Sequence, residues 1–190
     1  MVDLDLLDER HVSIVQEAIA EDRIGFIVQS IHAIDDPAQV LYGECFPHLT
    51  DQDGIEHADA VFVPALEALG EAPVLDRHML KLVLNALESN SLSVLGYSLS
   101  SDNVSDPGSW AHIRDQIAAR PELASRLVLK FTGIQTFADA ALAISSLSEA
   151  RDLGCRIAID DDLSWTGIIC ALTRKHWHST TLCENGYITT

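Results

Sequence analysis

The chain has 190 residues, with 12 Lys+Arg against 29 Asp+Glu and a formal net charge of −17. Hydrophobic residues make up 47% and charged residues 22%, a mix that excludes a disordered or collagen-like chain and leaves room for one domain with a real core. The acidic balance argues against binding nucleic acid or an anionic membrane through bulk electrostatics, because the field repels phosphate.

Taken in chain order, residues 9–22 carry Val12, Val15, Ala18 and Ile19 at helical spacing and stop near Gly25. Gly25–Ile34 and Ala38–Cys45 read as strands. A polar loop with Asp51, Asp53 and Gly54 follows; its acidic alternation lacks the twelve-residue frame of a calcium loop and reads as solvated. Val61–Leu69 is a short helix ending at Gly70. In Leu75–Leu87 the residues Leu75, Met79, Leu82, Val83 and Ala86 share one helical face. Ser91–Leu99 is a strand. Asp106 before Pro107 signals a helix start, continued by Trp110, Ile113 and Ile117. Leu127–Phe131 is a strand. Thr136 with Asp139 resembles a capping box, opening a helix with Phe137, Ala140, Ala141, Ile144 and Leu147 as its buried face. Cys155–Ile159 is a strand that runs into Asp160, Asp161 and Asp162.

Strands separated by amphipathic helices predict parallel βαβ units. From Leu163 to Thr190 the character changes. This tail holds Arg174, Lys175 and Glu184 as its charged residues, with two tryptophans and two cysteines, and no clear period. His176 and His178 flank Trp177 and read as exposed polar residues rather than metal ligands. The four cysteines are widely spaced without a C-x-x-C pair, which predicts free thiols, with Cys45 and Cys155 in the core. The acidic start does not resemble a secretory signal, and no apolar run reaches the roughly 18 residues of a membrane span. A cytoplasmic location follows as an expectation.

Side chains alternate across a strand. Leu129 and Phe131 share one parity, and Val128 and Lys130 the other. Leu95, Tyr97 and Leu99 oppose Gly96 and Ser98, and Ile157 and Ile159 oppose Ala158 and Asp160. The large apolar sets are expected to pack on the helices. Glu44, Ser98, Lys130 and Asp160 then point inward near the C-terminal ends of four strands, the end that carries the active site in a parallel barrel. A buried Lys130 needs a carboxylate, with Glu44 and Asp160 the nearest candidates; at an open edge it would instead be solvated.

Several segments together resemble the EAL domain, the cyclic diguanylate (c-di-GMP) phosphodiesterase family, over about residues 25–162. Phe26-Ile27-Val28-Gln29-Ser30-Ile31 resembles the first-strand Y-Q-P-I. Tyr42-Gly43-Glu44-Cys45-Phe46 falls at E-A-L, Phe62-Val63-Pro64-Ala65-Leu66-Glu67 at F-I-P-L-A-E, and Leu75-Asp76-Arg77 at L-D-x-W. Ser98-Leu99-Ser100 falls at N-L-S, Lys130-Phe131-Thr132-Gly133 at E-x-T-E, and Leu153 to Asp162 at L-G-x-x-I-A-x-D-D-F.

The resemblance implies an α/β fold, a TIM-like (β/α) barrel whose first strand runs antiparallel. Such barrels run to about 250 residues. The expected form here is therefore incomplete: about five strands in a partial barrel over residues 1–162, and an atypical tail over 163–190 left by a truncation or frameshift. A sheet left open in this way invites pairing, so a homodimer is expected, covering the edge near Cys155–Ile159 or the tail.

The resemblance also implies Mg²⁺ or Mn²⁺ at the strand ends, activating a water that opens one phosphodiester of c-di-GMP. Glu44, Asp160 and Asp161 are the metal ligands that remain. Gln29, Glu44, Ser98, Lys130 and Asp160 would surround a bound dinucleotide. The departures are at the ligands themselves. Ser98 replaces Asn, and Lys130 replaces a ligand Glu, exchanging −1 for +1. Gly133 replaces the second Glu of its motif, Asp162 replaces Phe, and His48 stands where a substrate-contacting Arg belongs. No confident catalytic residue is left. The expectation is a catalytically silent domain that binds c-di-GMP or a protein partner, with the metal lost. The alternatives are a residual metal-dependent phosphodiesterase giving linear pGpG, and a non-functional product that folds only by pairing with another copy.

Overall fold

The structure, a computed structural model, describes residues 4–33, 35–131, 137–160, 180–183 and 186–189. Helix α1 (Leu4–Ala20) leads into β1 (Ile24–His32) and β2 (Val40–Thr50). A turn and the short β3 (Glu56–Ala58) follow, then α2 (Asp59–Ala68), α3 (Ala72–Ser89) and β4 (Leu95–Leu99). Next come α4 (Ser101–Ser105), α5 (Pro107–Ala118), α6 (Pro121–Ala124), β5 (Leu127–Phe131), α7 (Phe137–Asp152) and β6 (Arg156–Asp160). Strands β7 (Thr180–Cys183) and β8 (Gly186–Thr189) close the described chain.

The sheet order is β1-β2-β4-β5-β6-β8-β7, with β3 attached to β2. Strands β2, β4, β5 and β6 are mutually parallel, whereas β1 pairs antiparallel with β2. The parallel core with its antiparallel first strand is the incomplete barrel that the sequence predicts. No pairing joins β1 to β7 among the described residues, so the sheet is not closed.

The strand alternation is realised in two separate apolar layers. Leu95, Tyr97, Leu99, Leu127, Leu129, Phe131 and Ile157 pack outward on the helices. Tyr42, Val128 and Ala158 pack with Ile31 on the other face. Gly96 belongs to this inner layer because nothing larger fits: a Cβ there would lie 2.4 Å from the Tyr42 ring. Helix α5 starts as its sequence signal predicts. The Asp106 side chain accepts from the Ser109 N–H at 2.7 Å, with Pro107 in the first turn.

Several expectations are corrected. The second strand does not stop at Cys45 but runs to Thr50, held by register with β1 up to Ile24↔Leu49 and by β3 beyond. The third strand, α4 and α6 were not legible, because three to five residues show no period. On α3 the buried stripe is shifted. Leu80, Leu84 and Leu87 join Leu75, Met79 and Val83 in the core, while Leu82 and Ala86 lie at its margin. Ala141 is exposed, and Ala143, Leu147 and Ala150 form the packed face of α7 instead. Thr136, proposed as a cap, lies outside the described residues, as does Ile34.

The tail also differs from its reading as a segment without period. Its β7–β8 hairpin pairs antiparallel, and β8 continues the sheet on β6 through Ile157↔Thr189 to Asp160↔Gly186. The edge of β6 expected to receive another copy is therefore covered within the chain. Among the described residues the open edges are β1, where Ile27 and Val28 stay half exposed, and β7 in the tail.

Candidate functional site

The site grows from inward parity, with Ser98 and Lys130 next to the ends of β4 and β5 and Glu44 within the longer β2. Register places Gln29 opposite Glu44 across β1 and β2, Ser98 beside Lys130 across β4 and β5, and Lys130 beside Ala158 on β6. Ser98 Oγ donates to Glu44 Oε1 at 3.0 Å, and Lys130 Nζ donates to the same oxygen at 3.3 Å. Both charges are largely removed from water, with 3% of the Glu44 side chain and 11% of the Lys130 side chain exposed. Of the two open placements for Lys130, the buried one is correct, and Glu44 is a carboxylate that receives it. Gln29 is exposed on the edge strand. Asp160 ends β6, while Asp161 lies outside the described residues.

At 3.3 Å a pair of unit charges interacts by about 5 kcal/mol at an effective dielectric of 20. Desolvation of both groups offsets much of that, so the pair is a device of position more than of net stability. It has a chemical consequence. A hard divalent cation needs several oxygen acceptors with lone pairs free. Here the Glu44 carboxylate is committed to an ammonium, Ser98 spends its proton on the same oxygen, and lysine has no acceptor to offer. The described residues hold no group of three His, Cys, Asp or Glu able to ligate a metal. Taken by themselves, Glu44, Ser98 and Lys130 offer too few free oxygen acceptors to hold Mg²⁺ or Mn²⁺.

Beside the pair lies a cavity of about 190 Å³ whose lining includes Glu44, Phe46, Asp59, Glu67, Asp76, Tyr97, Ser98, Ser100 and Lys130. Its wall contains a buried polar node. Asp76 accepts from Tyr97 Oη at 2.6 Å, from the Ser100 N–H at 2.9 Å, from Ser100 Oγ at 2.8 Å, and from Asn103 Nδ2. Complete burial outweighs those four donors and pushes the Asp76 carboxyl up to about 6. Burial first, and Asp76 next, hold the Tyr97 hydroxyl well above its ordinary value. Burial and then the charge of Asp102 raise Glu67.

The node ties α3 to the end of β4 and to α4, and so fixes the strand that carries Ser98. Sequence reading did not single out Asp76 as a site residue. The available signal was an acidic residue on an apolar helical stripe with Leu80, Val83 and Leu87.

His48 lies on β2 opposite Ala58, with Nε2 3.7 Å from Glu56 Oε2. Asp51 caps its own turn through the N–H groups of Asp53 and Ile55 and meets His57 at 2.9 Å. That supports the reading of a local turn rather than a calcium loop. Cys45 and Cys155 are free and buried; burial pushes both thiols up to about 12, with the Glu44 charge adding to the effect at Cys45. No helix among the described residues is long and apolar enough to cross a membrane.

With this geometry in place, comparison with known proteins is direct. The EAL domain family model matches residues 12–163. Among solved structures, the apo S helix-GGDEF-EAL portion of Vibrio cholerae LapD superposes with a TM-score of 0.78 at 18% identity, covering 87% of this chain and 41% of that one. The Xanthomonas citri FimX EAL domain, solved in complex with c-di-GMP, gives 0.70 at 19% identity, covering 89% and 67%. Bacillus subtilis YkuI, a protein with an EAL domain solved with c-di-GMP and calcium, gives 0.64 at 18%, covering 86% and 41%. No curated protein sequence matches. The chain spans about two fifths of the LapD portion.

Proposed function

The chain belongs to the EAL domain family, and from that premise we propose that it acts in c-di-GMP signalling as a catalytically silent domain, binding the dinucleotide or a protein partner rather than hydrolysing it. The observation that carries this reading is the buried Glu44–Lys130 pair at the strand ends. A fixed monovalent ammonium stands among the groups where the family resemblance implies a divalent ion. It lends positive charge to a nearby phosphate, but it carries no water to activate.

In this reading Lys130 and Ser98 form the polar floor of the cavity and Glu44 holds both in place, while Gln29 stands opposite Glu44 on the edge strand. Solved relatives described as bound to c-di-GMP support the ligand class. The retained Glu44, Asp160 and Asp161 are what favours the second reading, a metal-dependent phosphodiesterase. With β6 covered by β8, the open edges are β1 and the tail strand β7, and we further place a homodimer contact on β1, where Ile27 and Val28 are half exposed.

The deciding experiment pairs calorimetry with a hydrolysis assay. Expected are no micromolar Mn²⁺ binding, no pGpG, and no rise in c-di-GMP affinity on adding Mn²⁺. Linear dinucleotide above the uncatalysed background, or tight Mn²⁺ binding by the native chain, overturns silence in favour of the phosphodiesterase. Lys130→Glu is expected to gain Mn²⁺ binding, because it exchanges the ammonium for an oxygen donor. Light scattering that shows a monomer at high concentration refutes the β1 contact.

A further inference from the structure

A second cavity, of about 260 Å³, lies away from the strand-end pair, between α1, the turn from β2 to β3, and α2. Its floor is apolar, formed by the buried Leu49 and Phe62. Its described polar lining is Arg10, His11, His57 and Asp51. On a chain with a net charge of −17, a cavity whose charged lining is one guanidinium and one carboxylate, with two imidazoles beside them, is locally balanced rather than acidic.

The single acid in that lining is already occupied. Asp51 Oδ1 accepts the N–H groups of Asp53 and Ile55 at 2.9 and 2.8 Å, and Oδ2 meets His57 Nε2 at 2.9 Å. A carboxylate only accepts, so His57 Nε2 carries the proton of that bond. Arg10, by contrast, is exposed and makes no hydrogen bond or ion pair with any described residue. His11 Nδ1 is one of three buried side-chain atoms without a partner among the described residues. An unengaged guanidinium over an apolar floor, next to an imidazole with an unmet hydrogen-bonding atom, fits an anion whose body is greasy. The volume lies just below the roughly 300 Å³ at which drug-sized pockets begin, which sets the ligand at the scale of a short acid.

We propose that this cavity binds a small monocarboxylate carried on an apolar body, with Arg10 as the partner of the carboxylate and Leu49 and Phe62 beneath the body. The planar fork of arginine matches a carboxylate through two parallel hydrogen bonds, which lysine cannot reproduce. Burying the apolar body against Leu49 and Phe62 adds the hydrophobic contribution that a bare anion lacks. The site does not depend on the reading of the strand-end pair, and its occupancy is separable from c-di-GMP binding.

The test is NMR of the full chain, following the His11 and His57 ring resonances during titration with four probes: octanoate, 3-phenylpropionate, 1-octanol and inorganic phosphate. Both carboxylates are expected to give saturable shifts in the millimolar range, with octanol and phosphate weaker by roughly tenfold, the worth of one charge-assisted contact or of the lost apolar body. Arg10 is exposed, so Arg10→Ala leaves the fold intact and is expected to weaken octanoate by a similar factor; Arg10→Lys is expected to recover part of it. Absence of a saturable shift with either carboxylate overturns the proposal. So does octanol binding as tightly as octanoate, phosphate binding as tightly as both acids, or an Arg10→Ala chain that binds octanoate unchanged.

Discussion

Replacing Lys130 by Met tests the buried pair most directly. Methionine keeps the length of the side chain and removes the ammonium, so Glu44 stays with 3% of its side chain exposed and loses its cation. The contact is 3.3 Å long, and the interaction lost is about 5 kcal/mol before relaxation at an effective dielectric of 20. Breaking one side of a buried pair typically costs about 3–5 kcal/mol, since the surviving charge is left uncompensated. The Ser98 hydroxyl still donates to Glu44, which places the expected loss near the lower end, about 3 kcal/mol.

The double substitution Lys130→Met with Glu44→Gln removes both charges and is expected to recover most of the loss. Urea unfolding followed by circular dichroism at neutral pH reads all three chains. A Lys130→Met chain destabilised by less than about 1 kcal/mol, the size of an exposed pair, would refute the argument that this ion pair is buried and structurally committed.

Three further outcomes follow from the packing and the polar node. Gly96→Ala forces a Cβ to within 2.4 Å of the Tyr42 ring and is expected to destabilise by about 1–3 kcal/mol, as overpacking does; equilibrium unfolding checks it, and unchanged stability would show that the ring moves freely. Asp76 holds its proton more tightly folded, at about 6 against an ordinary 3.8. Its contribution to stability is thus complete below pH 3.8 and lost as pH rises through about 6. On that basis the native chain should lose up to about 3 kcal/mol across this window relative to Asp76→Asn, read from the difference between the two pH–stability curves. Asp106→Ala removes the acceptor for the Ser109 N–H and is expected to cost about 1 kcal/mol, measurable as a shift in urea midpoint.

The sequence by itself determined the alternation of strands and helices, the face on which each strand residue lies, and the membership signalled by ordered short motifs. These are legible because period two and period 3.6 are local properties of the backbone. It also gave Glu44, Ser98 and Lys130 a shared inward face by parity and set Ser98 and Lys130 near the ends of β4 and β5, although Glu44, read as lying near a strand end at Cys45, sits within a strand that runs to Thr50.

Tertiary structure alone decided the pairings. Lys130 meets Glu44 across 86 residues because register sets Glu44 beside Gly96 and Ser98 beside Lys130, within reach of the long lysine side chain, and register is a property of two strands rather than one. The β7–β8 hairpin carries no alternation of its own; it adopts strand form where β6 offers unpaired backbone groups to satisfy. Asp76 became a node only once α3 delivered it against Tyr97, Ser100 and Asn103. Arg10, His11 and His57 came to line one cavity only when α1 was packed beside the turn after β2. In each case the physical reason is the same: a charge, a hydrogen bond or a cavity wall needs a second group at a fixed distance, and the folded backbone supplies that distance.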